Sequence, residues 1–295
     1  MIRRGGSLAA LLFVAGCVSA PPPPPPPEPV VETAPMAPPV IGVIAGEFTL
    51  DRPPEQGGIA YGHLPAGATG LTLDGKPVAA APDGMFLIGF GRDHGPTALL
   101  EARTPAGILR QPLTVAPRNW AIQSIPSLRK GTTPTPDFLR RRPIELARIG
   151  AARRVRSAVD GWRQTFIWPQ GGRISGVFGS QRIYAGEPGD YHAGVDIAVG
   201  TGTPVYAPAD GVVVLATEAP FTLEGNLVIL DHGMGLTSAF LHFSRVDVRE
   251  GQRVRQGDRI GAVGATGRAT GPHLHWATMW NGERVDAQKI AGPMR

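Results

Sequence analysis

GATGRATGPHLHWATM, residues 264–279, decides how the second half of the chain folds. Glycine and threonine crowd its beginning, which suits a turn, and its end is an apolar run of strand length. Side chains alternate faces along a strand, so His273 and His275 share one face while Leu274 and Trp276 share the other. Two imidazoles side by side on one face call for a chemical reason.

Working outward, the neighbouring sequence is dense in β-branched, strand-length runs: GVVVLAT (211–217), NLVILD (226–231), LTSAFLHF (236–243) and RIGAVG (259–264). His232–Gly235 is expected to close a hairpin between the second and third. In YHAGVDIAVG (191–200), His192 and Asp196 are four apart. Gly194 with Val195, Ile197 and Val199 favours extended chain there, which puts both on one face of a strand. His242 stands in AFLHFS (239–244). A hydrolytic zinc site needs three N, O or S ligands and an open position for water. His192, Asp196 and one of His273 and His275 meet that count. The other of the pair, with His242, is then a candidate for general base or for stabilising developing negative charge. Spacing alone does not choose between them.

The ordered set RISGVFGSQR, YHAGVDIAVGTGTPVYAPADGVVV, GNLVILDHGMGLTSAFLHFS and VREGQRVRQGDRIGAVGATGRATGPHLHWA closely resembles the lysostaphin-like, LytM-type zinc endopeptidases that cut the peptide part of peptidoglycan. The match runs from about Arg173 to Asp286. The resemblance implies an antiparallel β-sheet groove (a duplicated hybrid motif), with Zn2+ held by His192, Asp196 and His275 and with His242 and His273 as the catalytic pair. It makes His232 a turn-shaping residue and assigns Gly264, Gly267 and Gly271 to the turn before the last metal-binding strand. No P-loop lysine or dinucleotide glycine pattern supports a phosphate-cradling loop instead. Two positions depart from the family pattern: Phe240 replaces a usual tyrosine, and Ala277 a frequent acid. The family also has degenerate members that lack ligands and activate other wall hydrolases. A non-catalytic wall-binding or activator module is therefore the alternative, and retention of all five residues speaks against it.

The rest of the chain reads as a delivery system. Residues 1–17 combine a positive start, an apolar run too short to span a bilayer and the sequence LFVAGC, which resembles a bacterial lipobox with Cys17 as the acylated residue. Val18 after it implies the outer membrane, so the expected location is periplasmic, on a lipid anchor. Residues 18–41 form a proline-rich tether expected to be largely polyproline II. Residues 42–118 carry short apolar runs about ten residues apart, with turn dipeptides at Asp74-Gly75 and Asp83-Gly84, and predict a small β-sandwich. His63 and His94 lie there without ligand-like neighbours. Residues 119–165 are a basic connector with a solvent-facing helix beginning after Pro143, and 166–295 is the β-rich zinc domain. The formal charge of +5 has its source in the connector, where residues 121–165 hold 10 basic against 3 acidic side chains. No nucleic-acid motif accompanies that excess, so peptidoglycan or another anionic envelope surface, and a regulatory protein not identifiable from sequence, are the expected partners.

Overall fold

The computed structural model describes residues 43–45, 48–126 and 134–294. Cys17, the signal and the tether expected over 1–41 lie outside the described residues. Residues Ile41–Arg295 form one compact unit, mostly β.

Its largest sheet runs in the order Arg173–Gly176, Val195–Ala198, Leu274–Trp280, Leu236–Phe243, Asn226–Asp231, Gly211–Ala216 and Arg253–Val254. Every neighbouring pair is antiparallel, and Glu283–Val285 adds to Leu274–Trp280. The strand Leu274–Trp280 alternates buried and half-buried side chains throughout, as its sequence predicts. One face of the sheet, with Val195, Ile197, Val228, Leu230, Phe240, Leu274 and Trp276, is sealed into the main core. Fully burying side chains of this size is worth roughly 1.5–3 kcal/mol each, so this face dictates the register. The opposite face carries His275 and a smaller apolar cluster including Leu227, Ile229 and Ala239.

The strands between Val43 and Thr114 make two sheets. One has five strands, Val43–Ala45, Gly107–Thr114, Thr97–Thr104, Thr69–Leu73 and Lys76–Pro77; the other has three, Thr49–Leu50, Ile59–His63 and Met85–Gly89. Phe48, Phe86, Ile88 and Leu100 belong to the same main core as the large sheet. At Asp74-Gly75 both residues take positive φ, +50° and +74°, the geometry a two-residue hairpin requires.

The connector differs from expectation in several ways. Its helix α1, Pro136–Arg154, starts before Pro143, capped by the Thr135 side chain accepting from the Phe138 N–H, with proline at the start where no N–H is needed. Pro143 sits inside the helix. The helix is also not simply solvent-facing: Glu145, Ile149 and Ala152 are buried, and Ile149 and Ala152 join Ile229 and Ala239 on the sheet. It ends at Arg154, and the Ser157 N–H donates to Asp231 Oδ2 at 2.6 Å. Finally, Ile122–Ile125 forms a strand parallel to Gln181–Tyr184, which also pairs with Glu187–Pro188. Arg92 braces this small sheet, donating to the Gly179 carbonyl at 2.9 Å and to Gln181 Oε1 at 3.0 Å.

Candidate metal centre

The register of the large sheet sets Asp196 directly opposite His275. Asp196 Oδ1 lies 2.8 Å from His275 Nδ1 and 3.1 Å from His192 Nε2, and the two histidine nitrogens are 3.1 Å apart. His192 reaches this point from a loop, because the strand begins only at Val195. Its main chain is pinned by hydrogen bonds from its N–H to the Ser180 carbonyl, 2.7 Å, and from the Gly179 N–H to its own carbonyl, 2.9 Å.

His242 arrives by a different device. Between the pairs Val228–Phe240 and Asn226–Phe243 the ladder slips by one residue, and His242 takes φ +67°. Strict alternation after Leu241, which is paired with His275, would turn His242 away from the ligand face. The bulge returns it: its ring centroid lies 4.8 Å from that of His273 and 6.2 Å from that of His275. His273, just ahead of the strand, has Nε2 3.8 Å from Asp196 Oδ1. All five histidine and aspartate residues predicted from sequence thus surround one cavity of about 360 Å3. His63 is not among them, and His94 sits apart beside Phe90 and Asp74.

Backbone carbonyls fix which nitrogens face inward. A carbonyl only accepts, so a neutral imidazole beside one places its proton there and leaves the other nitrogen bare. His192 Nδ1 donates to Val177 O at 3.0 Å, His242 Nδ1 to Thr266 O at 2.8 Å and His273 Nδ1 to Gly271 O at 2.8 Å. The Nε2 lone pair of His192 therefore meets a carboxylate oxygen and a second imidazole nitrogen, an arrangement without a donor unless a proton or cation enters. Nitrogen and carboxylate donors at about 2.0–2.2 Å from a tetrahedral zinc would stand roughly 3.3 Å apart, near the spacing found. Glycines make the room: a Cβ on Gly176 would lie 2.5 Å from Asp196 Oδ2, and one on Gly194 would lie 2.8 Å from His275 Nε2. The residues present fit a divalent ion of the zinc type, with His192, Asp196 and His275 as its ligands.

The ionisation of the cluster agrees. Burial opposes the charge on Asp196, but the bonds from His192 and His275 outweigh it and hold its carboxyl well below the usual range. Burial also pushes His192 down, and the bond and charge of Asp196 overcome it, so the imidazole is raised. His242 is pushed down to about 4, chiefly by burial, and is neutral at pH 7. His232 lies elsewhere: fully buried, it donates through Nδ1 to Asp210 O at 2.8 Å and accepts at Nε2 from Ser238 Oγ at 2.9 Å. Sequence reasoning had no signal for the supporting carbonyls. It did flag the glycine-rich loop, where Thr266 accepts from the Asn226 N–H and Arg268 donates its N–H to Leu223 O.

Residues 190–287 match Peptidase family M23. Over 103 residues the chain is 46% identical to peptidoglycan DD-endopeptidase ShyA of Vibrio cholerae, covering 35% of this chain and 24% of that one. Over 121 residues it is 40% identical to DD-carboxypeptidase/endopeptidase Mpg of Neisseria meningitidis, covering 41% and 27%. This chain thus spans about a quarter of the length of these curated relatives. A crystal structure of a peptidase M23 from Pseudomonas aeruginosa superposes with a TM-score of 0.64 at 32% identity, over 82% of this chain and 96% of that one. That likeness extends well beyond the sheet that carries Asp196 and His275, and it establishes that the chain belongs to peptidase family M23.

Proposed function

We propose that the protein is a zinc-dependent endopeptidase that hydrolyses the peptide crosslinks of peptidoglycan. The observation that carries this reading is the meeting of three bare donor atoms, from His192, Asp196 and His275, beside two further imidazoles on the open side. Bound there, zinc would polarise the scissile carbonyl and supply a water whose pKa is lowered to about 7. His242, neutral and with its Nδ1 proton committed to Thr266, presents a bare Nε2 to the cavity, and His273 does the same from the other side. One of them takes the proton of the attacking water; both steady the charge that gathers on the carbonyl oxygen, and the protonated imidazole returns its proton to the departing amine. The names of the Vibrio and Neisseria relatives support a D-alanyl to diaminopimelate crosslink as the bond cut. Acylation at Cys17 and an outer-membrane, periplasmic location belong to the same proposal.

Purified full-length protein incubated with crosslinked sacculi tests it. The expected result is release of uncrosslinked muropeptides that stops with a chelator and returns with zinc. Sacculi left intact at every metal concentration would instead support the non-catalytic wall-binding or activator reading. Incorporation of labelled palmitate that disappears in Cys17→Ser checks the anchor.

A further inference from the structure

Past His275 the ligand face of the sheet runs beneath α1, and helix and sheet enclose a second cavity of about 190 Å3. Leu146 and Ile149 of the helix and Leu241 and Ala277 of the sheet supply its apolar walls. Its charged lining is Arg142, Arg153, Glu224 and Arg284, with His275 at the end nearest the metal centre. Arg142 is already engaged: its two terminal nitrogens lie 2.6 and 2.9 Å from the two Glu224 oxygens, and Glu145 approaches at 3.4 Å. Arg153 and Arg284 have no carboxylate partner among the described residues. Arg284 only stands over the Tyr191 ring at 5.6 Å.

Arg142, Arg153 and Arg284 against the single carboxylate of Glu224, which Arg142 already engages, leave the lining of this small space with an excess of positive charge. Burial, and after it the charge of Arg284, act against the charge on Arg153, and the charge of Glu224 offsets them only in part. Nothing in the packing of α1 needs this: Ile149 and Ala152 hold the helix on the sheet, and Arg142 ties it to Glu224. The planar guanidinium fork matches a carboxylate in two-point contact.

We propose that Arg153 and Arg284 form a carboxylate-binding subsite of the groove, which selects an acidic peptide beside the bond to be cut. The proposal rests on the endopeptidase reading, since peptidoglycan stem peptides carry free carboxylates near their crosslinks. It makes α1 a wall of the substrate groove, and the connector a determinant of specificity.

The test compares a crosslinked stem peptide bearing its free carboxylates with the same peptide carrying carboxamides. Equilibrium binding of each is measured to metal-free full-length protein, where no turnover occurs, and cleavage of each by the zinc-loaded protein. The wild type is expected to bind the acid form about tenfold more tightly, the effect of one or two charge-assisted hydrogen bonds. In Arg153→Gln/Arg284→Gln the ratio falls toward one. Arg140→Gln removes the same charge from the exposed face of α1 and keeps the wild-type ratio. Arg284 is exposed, so Arg284→Gln alone carries the test should Arg153→Gln disturb the helix. A wild type that does not distinguish the peptides, or a double variant that keeps the preference, overturns the subsite. Failure of the endopeptidase reading looks different: neither peptide is cut, while the binding ratio still reports on the arginines.

Discussion

His232 and His192 make the same first bond and differ in the second. Each ring places its Nδ1 proton on a backbone carbonyl, Asp210 for one and Val177 for the other. Behind His232 the remaining nitrogen finds the hydroxyl of Ser238, and the ring is sealed, edge-on to Phe166. Behind His192 it finds only a carboxylate oxygen and another imidazole. Burial and a carbonyl contact therefore do not separate a structural histidine from a candidate ligand. What separates them is whether the second nitrogen meets a donor.

The sharpest way to break this comparison is to delete one member of each region. Asp196→Ala or His275→Ala is expected to lose bound zinc and at least about a thousandfold in sacculus digestion with the fold retained, by metal analysis and circular dichroism. His232→Ala is expected to keep the activity of its folded fraction while its melting temperature falls. A His232 variant that loses metal, or a His275 variant that keeps it, would erase the distinction.

His242→Ala should lower kcat roughly 100- to 1,000-fold with zinc content unchanged, because it removes a proton acceptor and a charge-stabilising group but no ligand. Loss of zinc in this variant would move His242 to the metal side of the comparison.

The two regions also differ in how they respond to acid. His232 is pushed down to about 4 by burial, below the 6.5 of an unfolded chain. Between those values the unfolded state takes up a proton that the folded state refuses, so stability falls as pH drops from 6.5 toward 4 and is unaffected above that window. The full effect is on the order of 3 kcal/mol, and urea denaturation in His232→Gln should show a flatter profile.

Carboxylates give the smallest and most specific version of the contrast. Glu145 is as deeply buried as His242, yet it is satisfied by the Thr222 N–H at 2.9 Å, the Thr222 hydroxyl and Arg142. Glu145→Gln should cost about 1–2 kcal/mol of stability, read by thermal denaturation, without altering zinc content.

Much of this was legible in the chain. The runs 211–216, 226–231, 236–243 and 259–262 are strands because β-branched residues and short turns leave few other choices, and the five candidate residues do meet. Their manner of meeting was not legible. His192 was expected on a strand and comes from a loop, because its position depends on main-chain bonds to Ser180 and Gly179, twelve and thirteen residues earlier in the chain. The positive φ of His242 is set by a ladder slip that no local pattern announces. Pro143 misdirected the helix start, since its local penalty of about 3 kcal/mol is overridden by the capped turn before it and the Glu145 and Arg142 ties after it. Ile122–Ile125 was hidden by the surrounding basic composition, and only its pairing with Gln181–Tyr184 gives it a role.

That parallel pairing bears on how the molecule can be taken apart. A fragment starting at residue 166 would leave Gln181–Tyr184 with one side of its main chain unmatched, a template on which a second fragment could dock. Such trimming is expected to favour self-association, because the residues ahead of the large sheet are what cover that edge.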